Sequence, residues 1–323
     1  MSGLDAALAS CAVADRSDLA RLLGTGPDLL GLLHRLSTGD VRDLRPGEGR
    51  ETVLTNAKGR IVERLSAHHL GDDGVLLIGG AGSAPRVLAH LQKFTFAEKT
   101  GLTDRTAATF AFALLGLKWA DAAGAAGLPA VAPFGVGTCE IGGVQVHVVR
   151  TNGFNAEGIL VIGDRASAEP VREALIAAAA GAGGGGIDAH ALEAWRILSG
   201  FPAAGHELTE EHNPLEAGLR DAVSFTKGCY VGQEVVARLN TYGKVSRGIV
   251  RLQLQPGAPV PTEGAAVLHD GKPIGTVTSA ILPEGRVAAL ALAYVKSREL
   301  PAGVDSVTID DAGTLRSAAI VRL

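Results

Sequence analysis

The pattern that most restricts the fold lies after residue 242, where short segments of alternating apolar residues recur between turns that contain Gly or Pro. Successive side chains of a strand point to opposite faces, so this alternation predicts strands with one buried face. Several such strands at regular spacing are typical of a small antiparallel barrel. We expect its strands at 248–254, 265–268, 274–279, 287–293, 306–309 and 317–321.

The longer N-terminal part mixes helical and strand patterns, so the fold class that we expect for the whole chain is α+β. Helices are predicted at 15–23, 27–36, 84–94, 169–180 and 188–198, and strands at 52–54, 61–65, 75–78, 109–117 and in two stretches of 131–150. Residues 56–59 predict a hairpin loop, and the glycine run 183–186 predicts a flexible linker. We place this domain at 1–243, leaving open a division into two subdomains near 140, and the barrel domain at 244–323.

Composition narrows the class of protein. Of 323 residues, 46% are hydrophobic and 20% charged, which is ample for a buried core. The net charge of −4 does not favour direct contact with nucleic acid. The three cysteines are too few for a four-cysteine iron–sulfur site, and no spacing predicts a metal site. We find no targeting pattern and no apolar run of about 18 residues, and therefore expect a cytoplasmic protein without a membrane segment.

One short segment, KGCYVGQE at 227–234, concentrates residue types that carry chemistry. Cys229 stands between two glycines, two residues after Lys227 and just ahead of a predicted helix start. A nearby cation and a helix N-terminus both favour the thiolate, which is the nucleophilic form. We therefore expect Cys229 to be the catalytic thiol and Lys227 to keep it partly ionised. A cysteine that is simply packed in a glycine turn remains the alternative.

This segment resembles the signature of YgfZ-type folate-binding proteins, which are relatives of the glycine-cleavage T-protein, an aminomethyltransferase. The signature is Lys-Gly-Cys, an aromatic residue, a variable residue and Gly-Gln-Glu, and every fixed position is met. The resemblance continues over nearly the whole chain, in the stretches 56–60, 150–158, 205–208, 213–219, 275–279 and 291–295.

The resemblance implies a T-protein-like folate-binding domain followed by a barrel, with tetrahydrofolate or a derivative as cofactor. Residues 219–251 carry six Lys and Arg against two acidic residues, which suits the anionic tail of a folate. For Arg238 the alternative is a surface ion pair with Glu234, four residues away. The residues expected to bind the cofactor are Tyr230, Gln233, Glu234, Arg238 and Asn56.

Two departures from the family pattern bear on the chemistry. T-proteins carry paired aspartates, one of them the catalytic carboxylate, at positions that match Glu63 and Arg64 here, and YgfZ-type proteins lack those aspartates. The family also has a glutamate that hydrogen-bonds the pterin ring, and this position holds Leu198. A leucine cannot accept those bonds, and a buried pterin N–H left unpaired costs a few kcal/mol.

The function implied by the resemblance is that of a folate-dependent factor. It would support the assembly or repair of iron–sulfur enzymes, including tRNA-modifying ones, with iron–sulfur client or assembly proteins as partners. Two alternatives stay open: a folate-dependent aminomethyl or methyl transferase of the T-protein type, and a folate-binding module without chemistry.

Overall fold

A computed structural model describes residues 3–151, 158–301 and 303–321. The resemblance noted at 150–158 therefore falls largely outside the described residues. The helices are α1 (Gly3–Ala9), α2 (Leu29–Leu36), α3 (Ala84–Gln92), α4 (Trp119–Ala125), α5 (Ala168–Gly181), α6 (Ala189–Ser199) and α7 (Gln233–Thr241). The strands before the barrel are β1 (Ala12–Asp15), β2 (Leu19–Thr25), β3 (Gly49–Thr55), β4 (Ile61–His69), β5 (Val75–Ala81), β6 (Gly101–Asp104), β7 (Thr109–Leu115), β8 (Val136–Ile141), β9 (Val144–Thr151), β10 (Gly158–Asp164) and β11 (Gly185–Ile187).

The first sheet is antiparallel and has the strand order β3-β4-β5-β2-β6. Helix α2 packs on one face of this sheet because Leu29, Leu32, Leu33 and Leu36 recur at helical spacing and form one buried stripe. The opposite face, with Ile78, points toward the second sheet. This arrangement leaves the central strands β4 and β5 available to line an intersheet space.

The second sheet has the order β11-β1-β7-β10-β9-β8, and helices α4 and α5 contribute to the cluster on one of its faces. Its other face belongs to an apolar cluster that joins Ile78 of β5, Leu160 of β10, Trp195 of α6 and Leu292 of the C-terminal part. The two sheets, α6 and the C-terminal part therefore share one core.

The C-terminal strands close into an antiparallel barrel of order β12-β15-β14-β13-β16-β17, which confirms the predicted barrel and the α+β class. Each predicted strand is present, and the bounds shift by a few residues. These strands are β12 (Arg247–Leu254), β13 (Ala266–His269), β14 (Lys272–Ile281), β15 (Leu290–Lys296), β16 (Ser306–Asp311) and β17 (Thr314–Val321).

Two local predictions were wrong. The helix expected at 15–23 is the end of β1, a turn and most of β2, because pairing of β2 with β5 and β6 satisfies this backbone instead of a helix. The glycine run expected to be a linker contributes Gly185 and Gly186 to β11, which pairs in parallel with β1. A side chain at Gly184 would overlap the carbonyl of Cys11, so glycine permits this close approach.

The sheets do not divide at residue 140, since β1 and β7 pair with strands that lie beyond it. None of the helices in the described residues has the length and apolar character needed to cross a bilayer.

Candidate functional site

A cavity of about 740 Å³ lies between the two sheets. Strands β4 and β5, helix α6, the turn at 15–19 and the loop at 201–208 form its wall. Apolar side chains cover much of this wall, among them Leu65, Ile78, Leu160, Trp195 and Phe201. Its volume is within the range of about 300–1,000 Å³ that is usual for small-molecule sites.

Glu63 of β4 lies in the cavity wall as a buried carboxylate with all of its contacts inside the protein. Its Oε2 pairs with the guanidinium of Arg86, and its Oε1 accepts from the backbone N–H groups of Arg64 and Gly80 at 3.1 and 3.3 Å. Charge-assisted bonds of this kind hold a carboxylate firmly. Glu63 is therefore a fixed acceptor within the wall.

Arg64 follows directly and also lines the cavity, with 10% of its side chain exposed. Its Nε and Nη2 both pair with Oε1 of Glu51 from strand β3. Its Cζ lies 4.3 Å from the centroid of the Phe201 ring, which is a cation–π contact. The guanidinium is thus fixed by two neighbours from different parts of the chain.

Arg196 of α6 connects the cavity to the barrel. It donates to both carboxylate oxygens of Glu193 at 2.8 and 2.6 Å, to the Phe201 carbonyl at 2.6 Å, to Glu207 at 3.0 Å and to the Ser279 hydroxyl at 2.7 Å. These five bonds use every N–H group of the guanidinium. Arg196 therefore positions Glu193 in the cavity wall.

Glu207 is fully buried and accepts hydrogen bonds from two barrel residues, Thr278 at 2.6 Å and Ser279 at 2.7 Å. The hydroxyl of Tyr294 donates to its backbone carbonyl at 3.0 Å. A buried carboxylate is tolerated only when it is paired in this way. The segment 205–208, chosen from the sequence only as a family resemblance, is the polar attachment of the barrel.

Lys227 lies elsewhere, buried against the end of α2. Its Nζ donates to the carbonyls of His34 and Ser37 at 2.7 Å and of Gly39 at 2.6 Å. Burial lowers the pKa of Lys227 to about 8, although the three carbonyl oxygens favour the ammonium form. All three donors of the ammonium are engaged by these carbonyls, so the structure gives Lys227 a role in holding the chain after α2.

Cys229 is exposed, and it is absent from the residues that line the cavity. The neighbouring Tyr230 is buried, and burial raises the pKa of its phenol to about 12. The Nζ of Lys227 lies 5.2 Å from the centroid of the Tyr230 ring. The alternative of a cysteine packed in a glycine turn is therefore not observed, and the expected reactivity of Cys229 stays a prediction.

The end of the segment packs on the hairpin between β3 and β4. Asn56 accepts at Oδ1 from the N–H groups of Lys58 at 2.9 Å and Arg60 at 3.1 Å, and it donates to Glu210 at 2.8 Å. The hydroxyl of Thr55 donates to the carbonyl of Val231 at 2.5 Å. Asn56 therefore shapes the hairpin that receives the segment.

Helix α7 begins at Gln233, as predicted, and its exposed side carries Glu234 and Arg238. These two side chains pair with each other at 2.5 Å, the surface contact that was the alternative for Arg238. Gln233 is half-buried. The expected cofactor residues thus gather around α7 and the hairpin, and the cavity is lined by others.

The cavity residues were mostly missed at the sequence level. Glu63 and Arg64 were noticed only as departures from a pattern, and Glu51 and Phe201 carry no motif. The available signal was the charged pair 63–64 between the apolar residues 61–62 and Leu65, since charged residues are rarely buried unless paired. Leu198 is half-buried against the shared core and is absent from the cavity wall.

Two family models match the chain. The GCVT N-terminal domain matches residues 4–227, and the glycine cleavage T-protein C-terminal barrel domain matches residues 247–323. Among curated proteins, a putative chloroplastic transferase of Arabidopsis thaliana is 30% identical over 95% of this chain and 70% of its own length. An aminomethyltransferase of Thermus thermophilus is 30% identical over 88% of this chain and 79% of its own length.

An aminomethyltransferase of Mycobacterium leprae is 26% identical over 95% of this chain and 83% of its own length. Among solved structures, the glycine cleavage system aminomethyltransferase T from Bartonella henselae has a TM-score of 0.84 and 21% identity, covering 99% of this chain and 88% of that chain. At this identity the likeness shows a common fold.

Proposed function

Since the chain belongs to the glycine cleavage T-protein family, we propose that it binds tetrahydrofolate or a derivative in the intersheet cavity and transfers a one-carbon unit from an aminomethyl or methyl donor to this folate. Aminomethyltransferases of the family use tetrahydrofolate. The relatives named above are transferases, and their names favour this function over support of iron–sulfur enzymes.

The composition of the cavity wall is the observation that carries the proposal. A reduced folate has a polar ring system, an aromatic aminobenzoyl group and an anionic glutamate tail. Trp195, Phe201 and Leu160 offer apolar surface for the rings, Arg64 offers a fixed guanidinium, and the exposed Arg165 suits a carboxylate. When bound, the folate supplies the carrier atoms for the one-carbon unit.

The protein's own part in the reaction differs from that of a chain with paired aspartates. Glu63 already accepts bonds from Arg86 and two backbone N–H groups, and the next position carries a guanidinium. These side chains can orient a ligand and exclude water from it. A free carboxylate that accepts a proton is not offered at Glu63 or Arg64.

Calorimetry with tetrahydrofolate tests the binding. We expect one ligand per chain and weaker binding in Ala189→Trp, because Ala189 lies at the exposed rim of the cavity and an indole there obstructs the entrance. Ala177→Trp is the matched control, since Ala177 is exposed on α5 and is not part of the cavity wall. The proposal is wrong if the wild type binds no folate, or if both variants bind as it does.

A second function, support of iron–sulfur enzymes by a YgfZ-type mechanism, is favoured by one specific observation. Cys229 stands in a complete KGCYVGQE segment and is exposed, so a partner protein can reach its sulfur. In this proposal, client or assembly proteins meet the surface around α7, and the folate occupies the intersheet cavity.

Replacement of the thiol separates the proposals. If the second function is correct, Cys229→Ala fails to restore iron–sulfur enzyme activity in a deletion strain and still binds folate. If the transferase is correct, the same variant keeps its transfer of an aminomethyl or methyl group to tetrahydrofolate. Folate binding with neither activity identifies a module without chemistry.

A further inference from the structure

We propose that Arg64 recognises a carbonyl oxygen at the pterin end of the bound ligand. This inference rests on the proposed folate site and specifies one contact within it. The guanidinium lies in the cavity wall, and the direction of its fork is set by Glu51 on one side and by the ring of Phe201 on another. A donor that is already oriented loses little conformational freedom when a ligand binds.

Arg64 has unused donors although only 10% of its side chain is exposed. Its Nε and Nη2 are taken by Glu51, and within the described part of the chain no hydrogen-bond acceptor meets the two N–H groups of Nη1. Arg196 uses all its donors within the protein, and Arg16 pairs with Asp18. A nearly buried donor group facing a cavity calls for an acceptor on the ligand.

The charges around Arg64 favour a neutral acceptor over a carboxylate. Glu51 already balances Arg64, and Arg86 balances the adjacent Glu63. A carboxylate placed here would bring an uncompensated charge into a site with little solvent, at a cost in desolvation. A carbonyl oxygen accepts the same hydrogen bonds without that cost.

Apart from the aminobenzoyl amide, which all folates share, a folate can present such an oxygen in two places at its pterin end, as the 4-oxo group of the ring or as a formyl group carried as the one-carbon unit. Two ligand pairs distinguish them. Folic acid and aminopterin differ at the ring carbonyl, which aminopterin replaces by an amino group. 5-Formyltetrahydrofolate and tetrahydrofolate differ by the formyl group.

The experiment measures calorimetric dissociation constants of these four ligands for the full chain. Arg64→Met removes the donors, and Glu51→Gln/Arg64→Met removes both charges so that no buried carboxylate loses its partner. Arg172→Met is the control, because Arg172 pairs with Glu169 on the exposed side of α5. Thermal unfolding shows which variants are folded. If Arg64→Met is not folded, the affinities of the double variant test the inference.

We expect loss of the Arg64 donors to weaken the carbonyl-bearing member of one pair by about tenfold more than its partner. The pair that responds identifies the carbonyl. Equal weakening of all four ligands, or of none, overturns the inference. If the wild type binds these ligands and Ala189→Trp weakens the binding, the proposed site stands even when this selectivity is absent. If no folate binds to the wild type, the proposed function itself fails.

Discussion

At the scale of single residues, the structure gives Lys227 contacts that its neighbours in the sequence do not reveal. The ammonium of Lys227 binds the carbonyls of His34, Ser37 and Gly39, and the expectation that Lys227 keeps Cys229 partly ionised stays a prediction. Carbonyl groups past the end of a helix lack intrahelical partners and are commonly satisfied by a cationic side chain. The lysine of the segment thereby has a role in folding, while the thiol of Cys229 stays accessible.

Replacement of Lys227 by Met should therefore destabilise the protein. The change removes three charge-assisted hydrogen bonds and leaves buried carbonyls unpaired, so we expect the free energy of unfolding to fall by about 2–4 kcal/mol at pH 7. Lys93→Met, an exposed lysine, is the control. Chemical denaturation measures both, and a loss below about 1 kcal/mol in Lys227→Met would contradict this role.

The difference in unfolding free energy between the wild type and Lys227→Met should also depend on pH. The pKa of Lys227 is about 8 in the folded protein against an ordinary value of 10.5, so the unfolded chain binds more protons between these pH values. Stability rises with pH wherever the unfolded state binds more protons. The difference in unfolding free energy between wild type and Lys227→Met should consequently increase from pH 8 toward pH 10.5 and stay flat below pH 8.

At the scale of elements, the segment 227–234 and the hairpin between β3 and β4 form one unit. Gly232 has a φ of 83° and precedes α7. A Cβ at Gly232 would lie 2.5 Å from the carbonyl oxygen of Asn56 and 2.8 Å from the Cα of Gly59. The sequence places these two stretches about 170 residues apart, and their glycines permit the contact.

The two glycines of the segment give a matched pair of variants. Gly232→Ala should lower the free energy of unfolding by about 2 kcal/mol or more, because the new methyl group meets backbone atoms and the φ is left-handed. Gly228→Ala should change it by less than about 1 kcal/mol, because a Cβ there meets no described atom within 4 Å. Equal losses in the two variants would show that the hairpin contact does not limit stability.

At the scale of the whole molecule, the cavity exists because two sheets, α6 and the loop at 201–208 meet without filling the space between them. Arg196 and Glu207 then attach this wall to the barrel through Thr278 and Ser279. Removal of one partner from such a buried network leaves a charge unpaired. The geometry of the proposed ligand site thus depends on the barrel as well as on the sheets.

The sequence by itself determined the parts of the fold that depend on local pattern. Alternation predicted each barrel strand, and helical spacing predicted α2 and the helix at 188–198. The structure shows Asp188 as the N-cap of the latter helix, since its carboxylate accepts from the N–H of Ala191. The 227–234 segment correctly predicted the start of α7 and pointed to the family. These signals arise from residues that are close in the sequence, so they can be recognised without knowledge of the tertiary structure.

The tertiary structure alone decided which residues surround the cavity and what Lys227 contacts. Arg64 and Phe201 are 137 positions apart, and Glu51 and Arg64 meet only because β3 pairs with β4 in a particular register. Strand pairing also explains why residues 15–23, predicted as a helix, belong to β1, a turn and β2. The same holds for the glycine run, part of which pairs with β1 as β11. Contacts between distant segments depend on packing and on hydrogen bonds that no local pattern records, and this is the reason why the fold class was predictable and the cavity was not.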